Sequence, residues 1–381
     1  MKISRLLGRG RDELPESSPA APIVPDRDDV AAAEELAAAG RLEEAVAALA
    51  AANRDQRDPR IEMRLLELRH LAAARMEVGA GRPDWPPVYA DPFPDVVGTL
   101  PEISAHELST EVLGGAVSHH GCLIVRGVFD ADQVARSVEA IERTHLRYRG
   151  ELEAALGEGE ELPVDFPGHP VDLSEPLDDA WYHPLQLPDV PSTDGLRQMV
   201  ARQGGTWLGD SPSSAAVVLD GLRSAGVTDA IAGHLGETPV FSLQKSTLRR
   251  SLPKYNLVAW HQDGSFLDPD VRTMNVWVAL SPCGGDRPSP GIELLPRRLH
   301  EVLPVDGVMT PHSISYDLVD ELAADMPTII PIMDPGDAMI FDERLLHRTH
   351  LTQEMTEIRY ALECWFFAPS HRTASYTPLL A

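Results

Sequence analysis

From residue 238 onward the chain is cut into seven short runs of β-branched, aromatic and aliphatic residues, at 240–248, 257–263, 273–280, 291–295, 328–332, 337–341 and 358–367. Turn-forming residues separate them, most clearly Asp334-Pro335-Gly336-Asp337, where proline pre-sets one dihedral of the turn and glycine accepts the next. Runs of this length are too short to stand as helices and too numerous for a hairpin. They bury their apolar faces only by stacking as two sheets or by closing into a barrel. The sequence therefore predicts a mainly β core with flanking helices, an α+β chain with a jelly-roll or cupin-like double-sheet barrel and an N-terminal helical region.

That N-terminal region has a different texture. Residues 1–28 mix Gly, Arg, Pro, Ser and Asp without periodicity and read as a disordered tail. From 29 to 78 the chain is alanine-rich. Helices are expected over 30–39 and 42–52, on either side of Gly40. A third opens at Pro59, with Asp58 as N-cap and Ile61, Leu65, Leu68 and Ala72 on one face. The stretch 36–45 resembles part of a tetratricopeptide unit, but about one and a half units are present where roughly three are needed to stand alone. The plainer expectation is a helical hairpin packed on the main domain, with a protein partner as the use for its outer surface. Residues 79–103 form a proline-rich linker interleaved with Trp85, Tyr89 and Phe93, which suits a strap laid on a surface. The remaining domain spans 104–381. Within it 121–127 reads as a buried strand, 130–147 as an amphipathic helix, and the acidic, proline-rich 150–200 as an insertion or lid.

Composition excludes several functions. Lys+Arg 33 against Asp+Glu 59 leaves a net charge of -26, which repels nucleic acid and anionic membrane surfaces. Cysteine stands only at Cys122, Cys283 and Cys364, with no spacing for a disulfide framework or a zinc site. The first residues carry charge but no signal-peptide core, and no apolar run reaches membrane-spanning length. A cytoplasmic protein acting on a small molecule is the expectation that remains.

The chemistry is carried by Trp260-His261-Gln262-Asp263-Gly264. On an extended strand His261 and Asp263 project to one face and can grip one ion together. The pattern is no commoner here than composition would give, so the downstream context decides. Gly336 to Phe341 forms a strand after a tight turn, and His347 lies just beyond it; His350 is the neighbouring candidate. Two histidines and a carboxylate on a barrel, with the opposite side open, make the facial triad of non-haem iron oxygenases. The open positions of such a site take a 2-oxoacid and dioxygen. Arg359, opening the last run, supplies a planar clamp for the far carboxylate of that acid. In the run 240–248, Gln244 and Ser246 share a polar face with Ser242, opposite Lys245; they are candidates to line the cosubstrate pocket. Asn275, on one face with Thr273 and Trp277, is another.

These motifs resemble the phytanoyl-CoA dioxygenase family of Fe(II)- and 2-oxoglutarate-dependent oxygenases. The resemblance runs from about Gly121 to Phe367. It includes Arg126-Gly127-Val128-Phe129, Trp260-His261-Gln262-Asp263 and Trp277-Val278-Ala279-Leu280. Leu295-Pro296-Arg297-Arg298-Leu299-His300 stands where the family usually has Pro-Gly-Ser-His, keeping the proline and histidine but losing the glycine. The resemblance implies a double-stranded β-helix, iron held by His261, Asp263 and His347, and 2-oxoglutarate held at Arg359. With dioxygen, such a site hydroxylates an unactivated C–H and releases succinate and carbon dioxide. Asp263 stands where halogenases of this fold carry glycine or alanine, so halogenation is disfavoured. The competing expectation is a cupin-type or non-catalytic metal-binding barrel that acts through residues 29–78.

Overall fold

The computed structural model describes residues 25, 27–155, 168–174, 177–185, 196–197, 200–201, 204–253 and 259–381. Nearly all of the tail expected over 1–28, and much of the stretch 150–200, lie outside these residues.

Three helices come first: α1 (Asp28–Ala38), α2 (Leu42–Asp55) and α3 (Pro59–Arg75). Gly40 has φ +77°, and this left-handed turn lets Arg41 N donate to Leu36 O at 2.9 Å, closing α1 with a hydrogen bond that side chains with a Cβ rarely permit. At α3 the Asp58 side chain accepts from Arg60 N at 2.9 Å, the N-cap that the sequence predicts. Val30, Val46, Leu49, Ile61, Leu65 and Leu68 pack into a small core together with Leu380 from the end of the chain. The buried Arg69 donates to Leu380 O at 2.8 Å. The three helices read from the sequence are thus present, and they are fastened to the C-terminal strand. The proline-rich stretch that follows lies along the surface, where Trp85 and Tyr89 flank the His234 ring and Phe93 meets His120.

The rest runs β1 (Glu102–Ser104), α4 (Thr110–His120), β2 (Cys122–Arg126), α5 (Ala131–Ala155), β3 (Gly205–Trp207), α6 (Pro212–Ser224), α7 (Val227–Leu235), β4 (Val240–Ser242), β5 (Thr247–Ser251), β6 (Thr273–Ala279), β7 (Gly291–Leu294), α8 (Tyr316–Ala323), β8 (Ala338–Phe341), β9 (His347–His350), β10 (Arg359–Phe367) and β11 (Pro378–Leu380). A large mixed sheet has the order β1-β2-β8-β6-β10-β4-β11, with β5 also on β10 and β3 on β5. A smaller sheet pairs β7 with β9, and single bridges add His261 beside His347 and Ile329 beside Leu294. Successive extended segments therefore pass back and forth between the sheets: β5 in the large one, His261 in the small one, β6 in the large one, β7 and Ile329 both in the small one, then β8 large, β9 small and β10 large.

β10 shows why both faces of the large sheet are buried. Leu362, Cys364 and Phe366 pack outward against Leu113 of α4, Val218 of α6 and Ile231 of α7. Ala361 points the other way, toward Trp277, Ile292, Leu294, Met339 and Phe341 between the two sheets. A strand buried on both faces reads as a continuous apolar run, and Arg359 and Glu363 are the charged exceptions within it.

Three expected runs come out differently. The run 240–248 is two strands, because Ser246 N donates to Ser242 O at 3.0 Å and closes a turn between them. Of 257–263, only His261 makes a ladder contact among the described residues, and of 328–332 only Ile329 does. The strand β9, His-Arg-Thr-His, has no apolar alternation to announce it, and its extended state comes from pairing with β7.

Candidate active site

His261 and His347 face one another at the edge of the smaller sheet. Their main chains exchange both N–H···O bonds, each at 3.0 Å, as directly opposed residues of an antiparallel pair do. The imidazoles come out side by side, ring centres 4.4 Å apart. His261 Nδ1 lies 3.0 Å from Ala259 O, and His347 Nδ1 lies 3.0 Å from Leu345 O. A carbonyl only accepts, so Nδ1 carries the proton in both rings and donates it, which leaves each Nε2 as a free lone pair. At Asp263 the chain leaves the extended path for a 3-10 turn, Asp263–Phe266. The carboxylate is thereby aimed back at the histidines, with Oδ1 3.7 Å from His261 Nε2. Ligand-type atoms of His261, Asp263 and His347 all lie within 4.8 Å of one another, and no other such group occurs among the described residues.

Gln262 holds this turn in place from the other side. It is fully buried; its Nε2 donates to Arg344 O at 2.6 Å and Glu301 O at 3.2 Å, and its Oε1 accepts from Leu303 N at 2.7 Å. Sequence reading passed over Gln262 because its neighbours carry the chemistry. Replacing it with alanine removes the partner of three partly buried backbone groups, Glu301 O, Arg344 O and Leu303 N. The expected loss is about 2–4 kcal/mol of stability, measured as a lower thermal midpoint together with weaker metal binding.

Burial pushes the Asp263 carboxyl up to about 6, against the pull of His261 and Lys245. Burial, reinforced by His347, pushes His261 down to about 4, and burial also lowers His347. Asp263 Oδ2 is buried with no hydrogen-bond partner. Two imidazoles with free Nε2 lone pairs beside a desolvated carboxylate with an unmet oxygen form a donor set that fits a cation. Two nitrogens and one oxygen on one side of an open space suit ferrous iron. His350 is on the other side of β9, its Nδ1 3.8 Å from a Glu293 carboxylate that Arg348 grips at 2.6 Å. The structure thus brings His347, not His350, to His261 and Asp263.

Arg359 reaches across the space between the sheets. Its Nη1 donates to Gly291 O on β7 at 3.0 Å and its Nη2 to Ser251 Oγ on β5 at 3.1 Å. Trp277 lies under the guanidinium, 5.4 Å from ring centre to Cζ. The side chain is 4% exposed and its Nε has no acceptor. A guanidinium so enclosed, with no carboxylate of the described residues in ion-pair range, is costly unless an anion joins it. Ser251, its β-ladder partner, carried no sequence signal.

The remaining candidates divide. Asn275 lies beside the Asp263 carboxylate and favours its charged form, and its own Oδ1 is buried without a partner. Gln244 and Ser246 are instead structural. Gln244 exchanges hydrogen bonds with Thr377, donating at 3.0 Å and accepting at 2.8 Å. Ser246 Oγ accepts from Trp365 N at 3.1 Å. The turn between β4 and β5 breaks the two-residue alternation, so Lys245, which strand periodicity turns away from the site, is the residue that enters it. Lys245 Nζ sits 3.6 Å from the centre of the Phe266 ring, and that ring is stacked 6.5 Å from His261. Burial lowers the Lys245 ammonium to about 8, against the pull of Asp263 and Glu363.

Comparison with known proteins adds a family. A family model described as phytanoyl-CoA dioxygenase (PhyH) matches residues 117–353. A search of curated proteins finds no match. Among solved structures, the apo form of EctD from S. alaskensis is similar at 16% identity and a TM-score of 0.46, over 77% of this chain and 85% of that one. AviO1 from Streptomyces viridochromogenes Tue57 is similar at 17% identity and a TM-score of 0.41, over 67% and 93%. SnoK, described as a non-heme alpha ketoglutarate dependent carbocyclase from nogalamycin biosynthesis, is similar at 14% identity and a TM-score of 0.39, over 70% and 86%.

Proposed function

The chain belongs to the phytanoyl-CoA dioxygenase family of oxygenases that use Fe(II), 2-oxoglutarate and dioxygen, and from that premise we propose that it hydroxylates an unactivated C–H of a small organic molecule. The observation that carries this reading is the convergence of His261, Asp263 and His347 within 4.8 Å. The repeated passage of extended segments between the two sheets, broken only where β7 and Ile329 pair within the smaller one, supports a double-stranded β-helix for the core. Residues 104–381 form the oxygenase domain in this reading. The helices within 29–78 form an appended unit whose outer face is available to a protein partner. No helix of the described residues is long and apolar enough to cross a membrane.

His261, Asp263 and His347 are the residues that would hold ferrous iron, and Arg359 with Ser251 would hold the far carboxylate of 2-oxoglutarate. Bound there with dioxygen, iron and 2-oxoglutarate supply the oxidising power that breaks a C–H bond, with succinate and carbon dioxide as products. The chain's own contribution is geometric. The Nδ1 hydrogen bonds fix both histidines as Nε2 donors, and Gln262 fixes the turn that aims Asp263. Arg359, held by Gly291 O and Ser251 Oγ, would fix where the far carboxylate of the cosubstrate binds. Trp277, Ile292, Leu294 and Phe341 keep the space between the sheets dry. A non-catalytic barrel gives Arg359 no anion to hold and is the weaker reading.

Succinate formation from 2-oxoglutarate, with iron and a panel of small molecules, tests the proposal. Iron-dependent succinate that rises with one class of added compound is the expected result; none under any condition contradicts it. The site also carries a pH signature. A metal ion competes with the proton on Asp263, whose carboxyl burial pushes up to about 6, while burial holds His261 down to about 4 and lowers His347 below the ordinary imidazole value. Affinity for Mn(II), used as a redox-inert substitute, is therefore expected to fall about tenfold per pH unit below 6 and to level off above it. Calorimetric titration between pH 5 and 8 measures this.

A further inference from the structure

The structure places an ammonium group in this site that the iron and cosubstrate readings do not use. Lysine occurs at three positions in the whole chain, and Lys245 is half-buried with Nζ enclosed by Phe266 at 3.6 Å, Trp365 at 5.3 Å and Tyr376 at 6.0 Å from the ring centres. Aromatic faces offset part of the cost of burying a cation. They leave its three N–H donors unmet, and Lys245 has no hydrogen bond or ion pair among the described residues.

The nearby carboxylates are committed elsewhere. Glu363 accepts from Thr247 Oγ1 at 2.9 Å and from Arg249 at 3.0 Å. Burial works against its charge, but Arg249, Thr247 and Arg359 together hold its carboxyl below the usual range. Asp263 faces the histidines. With Asp263 and Glu363 negative and Arg249, Arg359 and Lys245 positive, these groups sum to one positive charge. Adding Fe(II) and the 2-oxoglutarate dianion leaves that sum unchanged, since the two cancel. The uncompensated charge sits at Lys245, on the open side of the site where Phe266, His312 and Tyr376 are only partly buried.

We propose that Lys245 anchors the primary substrate, and that this substrate is a small monoanion, a carboxylate with an apolar or aromatic body lying against Phe266, Trp365 and Tyr376. One ring separates the ammonium from His261, so an anchored carboxylate presents the carbon chain behind it to the metal side of the pocket. This rests on the oxygenase reading only for the fate of the substrate; the binding preference stands apart from turnover.

The test is equilibrium binding by tryptophan fluorescence, anaerobic, with the full chain loaded with iron and 2-oxoglutarate. The probes are two matched pairs, phenylacetate against phenylacetamide and hexanoate against hexanamide. The wild-type protein is expected to prefer each acid at least about tenfold, and Lys245→Met to erase the preference while Lys245→Arg retains most of it. Equal binding of acid and amide by the wild-type chain overturns the proposal without reference to any variant. So does a Lys245→Met variant that keeps the preference, or one whose defect lies in 2-oxoglutarate affinity and exceeds that of Arg359→Ala. If no succinate forms under any condition but the preference for acids holds, the oxygenase reading fails and the Lys245 assignment survives.

Discussion

Substituting His347 with alanine is expected to lower iron-dependent succinate formation more than about 100-fold, because one of the three proposed ligands to a single ion would be lost. His350→Ala, three residues away, is expected to stay within about threefold of wild type, since its ring lies beside Glu293 on the other side of β9. The pair matters because the sequence left both histidines open as the third ligand, and the structure distinguishes them by one feature. His347 is the ladder partner of His261, and residue 350 is the partner of Gly291. Metal content after iron loading separates a ligand from a residue that only shapes the pocket. His347→Ala is expected to lose bound iron, and His350→Ala to keep it. Equal losses in the two variants would contradict the assignment.

The second large effect is expected at Arg359. In the proposed reading, Arg359→Ala would remove a buried charge-assisted pair of hydrogen bonds to the cosubstrate, worth about 3–5 kcal/mol when one partner of such a pair is deleted. That corresponds to a rise in the 2-oxoglutarate KM of at least about 100-fold, with iron content unchanged. Arg359→Lys is expected to recover only part of it, because an ammonium cannot bridge Gly291 O, Ser251 Oγ and a carboxylate as the planar fork does. Ser251→Ala should raise the same KM by a smaller factor. A KM that is unmoved in Arg359→Ala would remove the cosubstrate from this corner of the barrel.

Much of this site is legible in the chain because strand chemistry is local. The His261–Asp263 spacing, the turn at Asp334 to Asp337 that launches β8, and the arginine at the head of β10 all announce themselves within a few residues. The failures have one physical cause, the breaking of two-residue alternation by a turn. Strand periodicity through 240–248 put Gln244 and Ser246 into the pocket and Lys245 outside it; the turn that Ser246 N closes onto Ser242 O reverses that assignment. Asp263 likewise reaches the histidines by a 3-10 turn and not by strand pleat. Ser251, Gln262 and Glu363 were silent for a different reason. Their partners, Arg359, Arg344 and Arg249, lie about 80 to 110 residues away in sequence, and a long-range hydrogen bond leaves no trace in a short window. The helices at the start of the chain were readable one by one from Gly40 and Asp58, but their attachment to Leu380 through Arg69 was not.

Anomalous diffraction at the iron edge, from crystals grown anaerobically with Fe(II) and 2-oxoglutarate, tests the metal centre most directly. A single peak within bonding distance of His261 Nε2, His347 Nε2 and an Asp263 oxygen is the expected result, with 2-oxoglutarate density running from it to Arg359. A peak held by other residues, or two fully occupied ligand shells on His350 and Glu293, would contradict the account.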